Sequence, residues 1–101
     1  MMTKMKQMEV RIAEIKAELM ALGDMRPGSI SRQQRARGGL YLHLSYTYQG
    51  KGKTEYVPPE LEEKVNEQLA NYKRFKALTQ EWIGLAMELA RIKLAQEAKG
   101  E

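Results

Sequence analysis

Six apolar residues in the last third of the chain, Phe75, Leu78, Trp82, Leu85, Leu89 and Ile92, recur at alternating steps of three and four. A stripe with that spacing lies along one side of an α-helix and has to be buried against another element. Met5, Met8, Ile12, Ile15, Leu19 and Leu22 carry the same spacing near the other end. Two matching stripes of about three heptads predict an antiparallel coiled-coil stalk built from the two terminal segments. The fold class expected is mainly α with a β-hairpin (α+β): an N-terminal helix, a basic loop, a two-stranded hairpin and a long C-terminal helix.

The segments between the stripes set the boundaries. Thr3 is the expected N-cap of a helix over residues 1–23, and Gly23 its left-handed close. Residues 24–39 show neither a helical nor a strand period and are punctuated by Pro27, Gly28, Gly38 and Gly39, which predicts a basic loop. From Leu40 to Tyr48 apolar and polar residues alternate, and glycines at 50 and 52 then turn the chain, so residues 40–57 read as a β-hairpin. A turn centred on Gly50-Lys51 puts Leu44 opposite Val57; a one-residue bulge instead puts Tyr46 opposite Tyr56. Pro58 and Pro59 end the strand, and Glu60, Glu62 and Glu63 suit the start of a helix over residues 60–98. Leu61, Val65, Leu69 and Tyr72 form an earlier stripe out of phase with the main seam. The long helix therefore either presents two faces in succession or bends near Asn71. Gly84, inside the seam, suggests close helix approach. The whole of residues 1–101 is read as a single domain, small enough for a second subunit to help bury its surface.

Charge is distributed unevenly. The 17 basic and 13 acidic residues give +4 overall, while residues 24–59 alone carry Arg26, Arg32, Arg35, Arg37, Lys51 and Lys53 against only Asp24 and Glu55. The helical parts are self-neutralised and the connecting part is cationic, as expected of a scaffold that presents a basic surface to an anionic partner.

Several chemistries are disfavoured. With no cysteine there is no disulfide, no thiolate nucleophile and no usual structural zinc ligand. Ser29 and Ser31 lack a His or Asp pattern to activate them, and the sole histidine, His43, sits on the polar side of the expected strand. The Gly-Lys-Gly-Lys run at 50–53 lacks phosphate-loop spacing. No catalytic residue, metal site or cofactor is expected, and the protein is read as a non-enzyme. Neither a bilayer-spanning run nor a signal-peptide core is present, so the expected setting is the cytoplasm.

The positions assigned to nucleic-acid binding are Arg26, Arg32, Arg35, Arg37, His43, Lys51, Lys53, Lys73 and Arg74, with Tyr41, Thr47 and Tyr56 interleaved. Such cations neutralise phosphates and gain affinity by counterion release. The seam residues Phe75, Leu78, Trp82, Leu85, Leu89 and Ile92 are assigned to a partner or oligomer interface.

The strings Met25-Arg26-Pro27-Gly28-Ser29-Ile30-Ser31, Leu44-Ser45-Tyr46-Thr47, Gly50-Lys51-Gly52-Lys53-Thr54, Tyr56-Val57-Pro58 and Asn71-Tyr72-Lys73-Arg74-Phe75-Lys76 occur in an order that resembles a family of short bacterial and archaeal proteins of unknown function. Members are often found among mobile elements and beside transposases. The resemblance runs from about Glu9 to Glu97 and implies a helix, hairpin and long helix, with no activity to transfer. Many members carry a cysteine-rich insertion that looks like a zinc knuckle. Here that interval is Arg32 to Gly39, without cysteine, so zinc is not carried over, and an arginine-rich arm takes its place. The functional expectation is a non-enzymatic, homodimeric or higher homo-oligomeric protein that binds DNA, or RNA, through the phosphate backbone, and that has no membrane partner. A coiled-coil adaptor recruiting a protein through its seam is the alternative.

Overall fold

The computed structural model describes residues 3–35 and 38–100. The elements are α1 (Lys4–Ala21), β1 (Ser29–Arg35), β2 (Gly39–Tyr48), β3 (Lys51–Val57), a 3-10 turn (Pro59–Leu61) and α2 (Glu62–Gly100). At 1.5 Å per residue α2 is about 58 Å long, roughly twice α1. No helix among the described residues is long and apolar enough to cross a membrane. The chain divides into two compact units, residues 23–74 and residues 1–22 with 75–101, so α2 contributes to both.

In the helical unit the Thr3 hydroxyl accepts the Lys6 N–H at 3.1 Å and caps α1. The helix ends at Leu22, which is extended and donates its N–H to the Leu19 carbonyl. Gly23 is not left-handed, so the expected glycine close is corrected: an extended Leu22 performs it. Ion pairs from Lys4 to Glu88 and from Arg11 to Glu81 run in opposite orders along the two helices, which makes α1 antiparallel to this part of α2. Met8, Ile15, Leu78 and Leu89 are buried, and Met5, Ile12, Leu19, Leu22, Trp82, Leu85 and Ile92 are half-buried. The two heptad stripes thus cover each other within one chain. Phe75, at the start of the stripe, is exposed. Gly84 does not mark the expected close helix approach, since a Cβ built on it meets nothing within 4 Å.

The other unit is a three-stranded antiparallel sheet in the order β1-β2-β3, not a two-stranded hairpin. Strand β1 lies where a loop over residues 24–39 was expected. Its sequence, Ser-Ile-Ser-Arg-Gln-Gln-Arg, holds one apolar residue, so no period announces it. It is an edge strand that draws its order from pairing with β2, Ile30 lying opposite Leu44 and Arg32 opposite Leu42. Gly38 and Gly39, both at positive φ, feed the chain into β2.

The β2–β3 register also differs from both expected ones. Gln49 (φ 52°) and Gly50 (φ 78°) form the two-residue turn, both left-handed as a primed hairpin turn requires. Leu42 therefore faces Val57, Leu44 faces Glu55 and Tyr46 faces Lys53. Relative to a Gly50-Lys51 turn this is a slip of two residues, which preserves the face of every side chain.

Leu42, Leu44 and Val57 form the core of this unit with Leu69 from the first part of α2, and Ile30, Leu40, Tyr46 and Val65 pack around them. Of the two expected behaviours of the long helix, successive faces is therefore the one observed. Val65 and Leu69 serve the sheet, and Leu78 and Leu89 serve the helical unit.

Candidate nucleic-acid interface

Strand alternation sorts the central residues onto two faces of the sheet. One face carries Leu42, Leu44 and Val57 under α2 and continues, towards the β2–β3 turn, into Tyr46, Glu55, Lys53, Tyr48 and Lys51. The opposite face carries Ser29, Ser31 and Gln33 from β1, Tyr41, His43, Ser45 and Thr47 from β2, and Thr54 and Tyr56 from β3. All of these are exposed except the half-buried Tyr41 and His43. They form an open face of hydroxyl and amide groups around one aromatic cluster. The His43 ring meets Tyr41 edge-on at 4.2 Å between centroids, and Tyr41 lies 5.0 Å from Tyr56.

The expected cations are distributed differently from the single basic surface the sequence suggested. Lys51 and Lys53 alternate to the face opposite His43, Tyr41 and Tyr56, so the period of two separates residues that the chain interleaves. Arg32 donates to Glu62 at 2.8 Å, bridging the edge strand to the first turn of α2. Arg26 is built into the unit: its backbone N–H donates to the Gln68 carbonyl at 3.2 Å, its guanidinium reaches Glu55 at 3.4 Å, and it lies 5.1 Å from the Tyr46 ring centre. Its Nε is buried without a hydrogen-bond partner. The backbone of Arg35 pairs with Gly39, and Arg37 lies outside the described residues. Lys73 and Arg74 are exposed on α2. Two of the expected phosphate ligands, Arg26 and Arg32, are thus held by carboxylates of the same unit.

The Arg26 cluster explains two of the motif strings. The Tyr46 hydroxyl donates to Glu55 Oε2 at 2.5 Å. That bond holds the Glu55 carboxyl below its ordinary range, with Arg26 adding to the effect, and raises the Tyr46 hydroxyl above its own. Asn71 donates to the Asp24 carbonyl at 2.8 Å and pins the same segment to α2. Gly28 then passes against β2 at φ 130°, where a Cβ would lie 2.8 Å from the Ser45 carbonyl oxygen and 2.9 Å from Leu44 Cδ1. The Arg26-Pro27-Gly28 and Leu44-Ser45-Tyr46 strings are therefore two sides of one packing contact. Sequence reasoning saw their order but not that they touch.

The seam residues assigned to a partner interface belong to the same compact unit as α1, where all but the exposed Phe75 are buried or half-buried. A shallow groove in the helical unit is lined by Glu9, Ile12, Ala13, Lys16, Trp82 and Leu89, with the Lys16 ammonium 5.3 Å from the Trp82 ring centre. Among the described residues no group of three or more His, Asp or Glu side chains converges as a metal site would.

The fold and the open sheet face define a small α+β protein in which one helix joins a three-stranded sheet to a helical pair. The chain belongs to the family described as a domain of unknown function (DUF6788), whose model matches residues 5–67. Comparison with curated proteins and with solved structures finds no match.

Proposed function

We propose that this chain is a non-enzymatic, homodimeric nucleic-acid-binding protein that accompanies a mobile element, and that the open face of its sheet takes the bases of a single strand. The observation that carries this is the clustering of Tyr41, His43 and Tyr56 on a face otherwise made of Ser, Thr and Gln. Bases stack on aromatic rings, and hydroxyl and amide groups offer donors and acceptors to their edges. Lys51 and Lys53 are exposed at the β2–β3 turn end on the other side of the sheet, so the backbone of the strand meets them by passing around that turn, where they supply phosphate contacts. The pairing of Arg26 and Arg32 with carboxylates shifts the weight of the reading from an arginine arm on a duplex backbone to stacking on the sheet. The resemblance to proteins encoded beside transposases supports the mobile-element setting. The alternative, a protein-interaction adaptor without nucleic acid, draws on the apolar side chains that α2 leaves exposed.

The test is fluorescence anisotropy of a labelled mixed-sequence strand, as DNA and as RNA, and of its duplex, each titrated at several salt concentrations. The strand is expected to bind more tightly than the duplex. Tyr56→Ala is expected to weaken strand binding by about 1–3 kcal/mol, the usual worth of one stacked base. Lys51→Ala with Lys53→Ala is expected to lower the salt slope by about 0.7 per lost phosphate contact. Binding that is absent at low salt, or indifferent to Tyr56→Ala, removes the sheet face from consideration. A preference for duplex, lost in Arg32→Ala, returns the reading to the arginine arm.

A further inference from the structure

The C-terminal part of α2 is apolar on two sides. Beyond the seam that meets α1, a second heptad stripe runs Gln80, Ile83, Met87, Ala90, Leu94 and Glu97, at steps of 3, 4, 3, 4 and 3. At 100° per residue its centre lies about 140° around the helix from the first seam. Every member is exposed, and the three large ones heavily so: Ile83 58 %, Met87 68 % and Leu94 67 %. Three large apolar side chains in register on one helix face, left to water, mark an unmet packing surface.

We infer that this stripe is the homodimer interface and that its occupant is the same stripe of a second copy, running antiparallel across a two-fold axis. The self-complementarity of the stripe points there. In an antiparallel pair each layer joins the two kinds of seam position. One register places Ile83 against Leu94 and Met87 against Ala90, and by symmetry the reverse, giving four consecutive apolar layers with large side chains set against small in the middle two. The same register puts Gln80 against Glu97 at each end, so an amide donor meets a carboxylate and every apolar member of the stripe is enclosed. A parallel pair would set Glu97 beside Glu97 and stack like against like in every layer. The flanks agree. Arg91 of one copy falls beside Gly84 of the other and Lys93 beside Ala86, so cations meet small neutral residues rather than each other. Gly84, which has nothing within 4 Å of its Cβ position in the single chain, then supplies room for close approach of the second helix.

This inference rests on the homodimeric part of the proposed function and is independent of its nucleic-acid part, so it is tested on the full chain without nucleic acid. Sedimentation equilibrium from low-micromolar to near-millimolar protein is expected to show a monomer–dimer equilibrium. Met87→Lys, at an exposed position that the monomer does not pack, is expected to keep the helical circular dichroism and raise the dissociation constant at least about tenfold. Orientation is read by oxidation of variants, since the chain has no cysteine of its own. In the antiparallel register two copies of residue 83 lie about 16 Å apart along the axis. Ile83→Cys or Leu94→Cys alone is therefore expected to stay monomeric on a denaturing gel, and the double variant to cross-link into dimers. A monomer at every concentration overturns the inference and leaves the stripe to a different protein. A dimer indifferent to Met87→Lys overturns it by placing the interface elsewhere, and efficient cross-linking of Ile83→Cys alone overturns it in favour of a parallel pair.

Discussion

The sheet unit and the helical unit use α2 in opposite ways. In residues 23–74 the helix covers one face of the sheet with Val65 and Leu69, and the sheet's other face is left polar, with a single aromatic cluster. In the helical unit α2 meets α1 through a heptad seam whose flanks are tied by Lys4–Glu88, Glu9–Lys93 and Arg11–Glu81, and its far side is left apolar. One unit thus shows solvent a polar face with an aromatic cluster, the other an apolar helix stripe. The difference follows from periodicity: a strand alternates its faces every residue, so hydroxyls are carried outward automatically, whereas a helix can repeat an apolar stripe on two sides at once.

The largest effects should come from the two cores, and they make the comparison breakable. Leu44→Ala in the sheet unit and Ile15→Ala in the helical unit each remove a fully buried side chain and should each cost about 2–5 kcal/mol in urea denaturation. Hydrogen exchange on both variants tests the division of the chain: strand amides should lose protection in the first and α1 amides in the second. Equal loss everywhere in both would erase the distinction between the units.

The glycines sharpen it. Gly28→Ala puts a Cβ into the Ser45 carbonyl at a backbone angle that L-residues avoid, and a loss of about 1–3 kcal/mol is expected. Gly84→Ala meets open space on a helix, so a gain of about 1 kcal/mol is expected when it is introduced on the Met87→Lys background, where association does not interfere. Thermal unfolding monitored by circular dichroism reads both signs.

The smallest effects are pH dependences, which differ in origin between the two units. Because the folded-state pKa of Glu55 is lowered by the Tyr46 hydroxyl, its contribution is present above the ordinary glutamate value, about 4.3, and is lost as pH falls through the folded value. The raised Tyr46 gives the converse: its contribution is present below about 10 and is lost as pH rises through the folded value. Tyr46→Phe should flatten stability against pH at both extremes. In the helical unit Glu88 is lowered by Arg91 and Lys4, an ion-pair effect that added salt should suppress, whereas the Tyr46–Glu55 bond should persist in salt.

Much of the fold was legible in the sequence, for reasons that can be traced to particular residues. The heptad stripes located both helices because only a helix brings Met8 with Ile15, and Leu78 with Leu89, onto common sides. The alternation of Leu40 to Tyr48 located β2 because it is the central strand with one buried face. The edge strand β1 escaped because Ser29 to Arg35 has little apolar character of its own, and its order comes from a partner distant in sequence. The register of β3 escaped because Gln49 takes a left-handed conformation that a glycine-based reading assigned one position later. The candidate site was half legible: Tyr41, His43 and Tyr56 were noticed, but as companions of the lysines rather than as residues facing away from them.

By itself, then, the sequence determined both helices and the β2–β3 hairpin, the heptad seams, the polar–apolar alternation of the central strand and the excess of cations between residues 24 and 59, since these depend on local spacing and composition. Only the tertiary structure decided that Arg26 and Arg32 are engaged by Glu55 and Glu62, that Gly28 is wedged against Ser45, that α2 serves two different cores, and which of its apolar stripes remains uncovered. Those are matters of which surface meets which. Residues 29 positions apart, as Arg26 and Glu55 are, become neighbours through the pairing of strands and packing of helices, which no local period records.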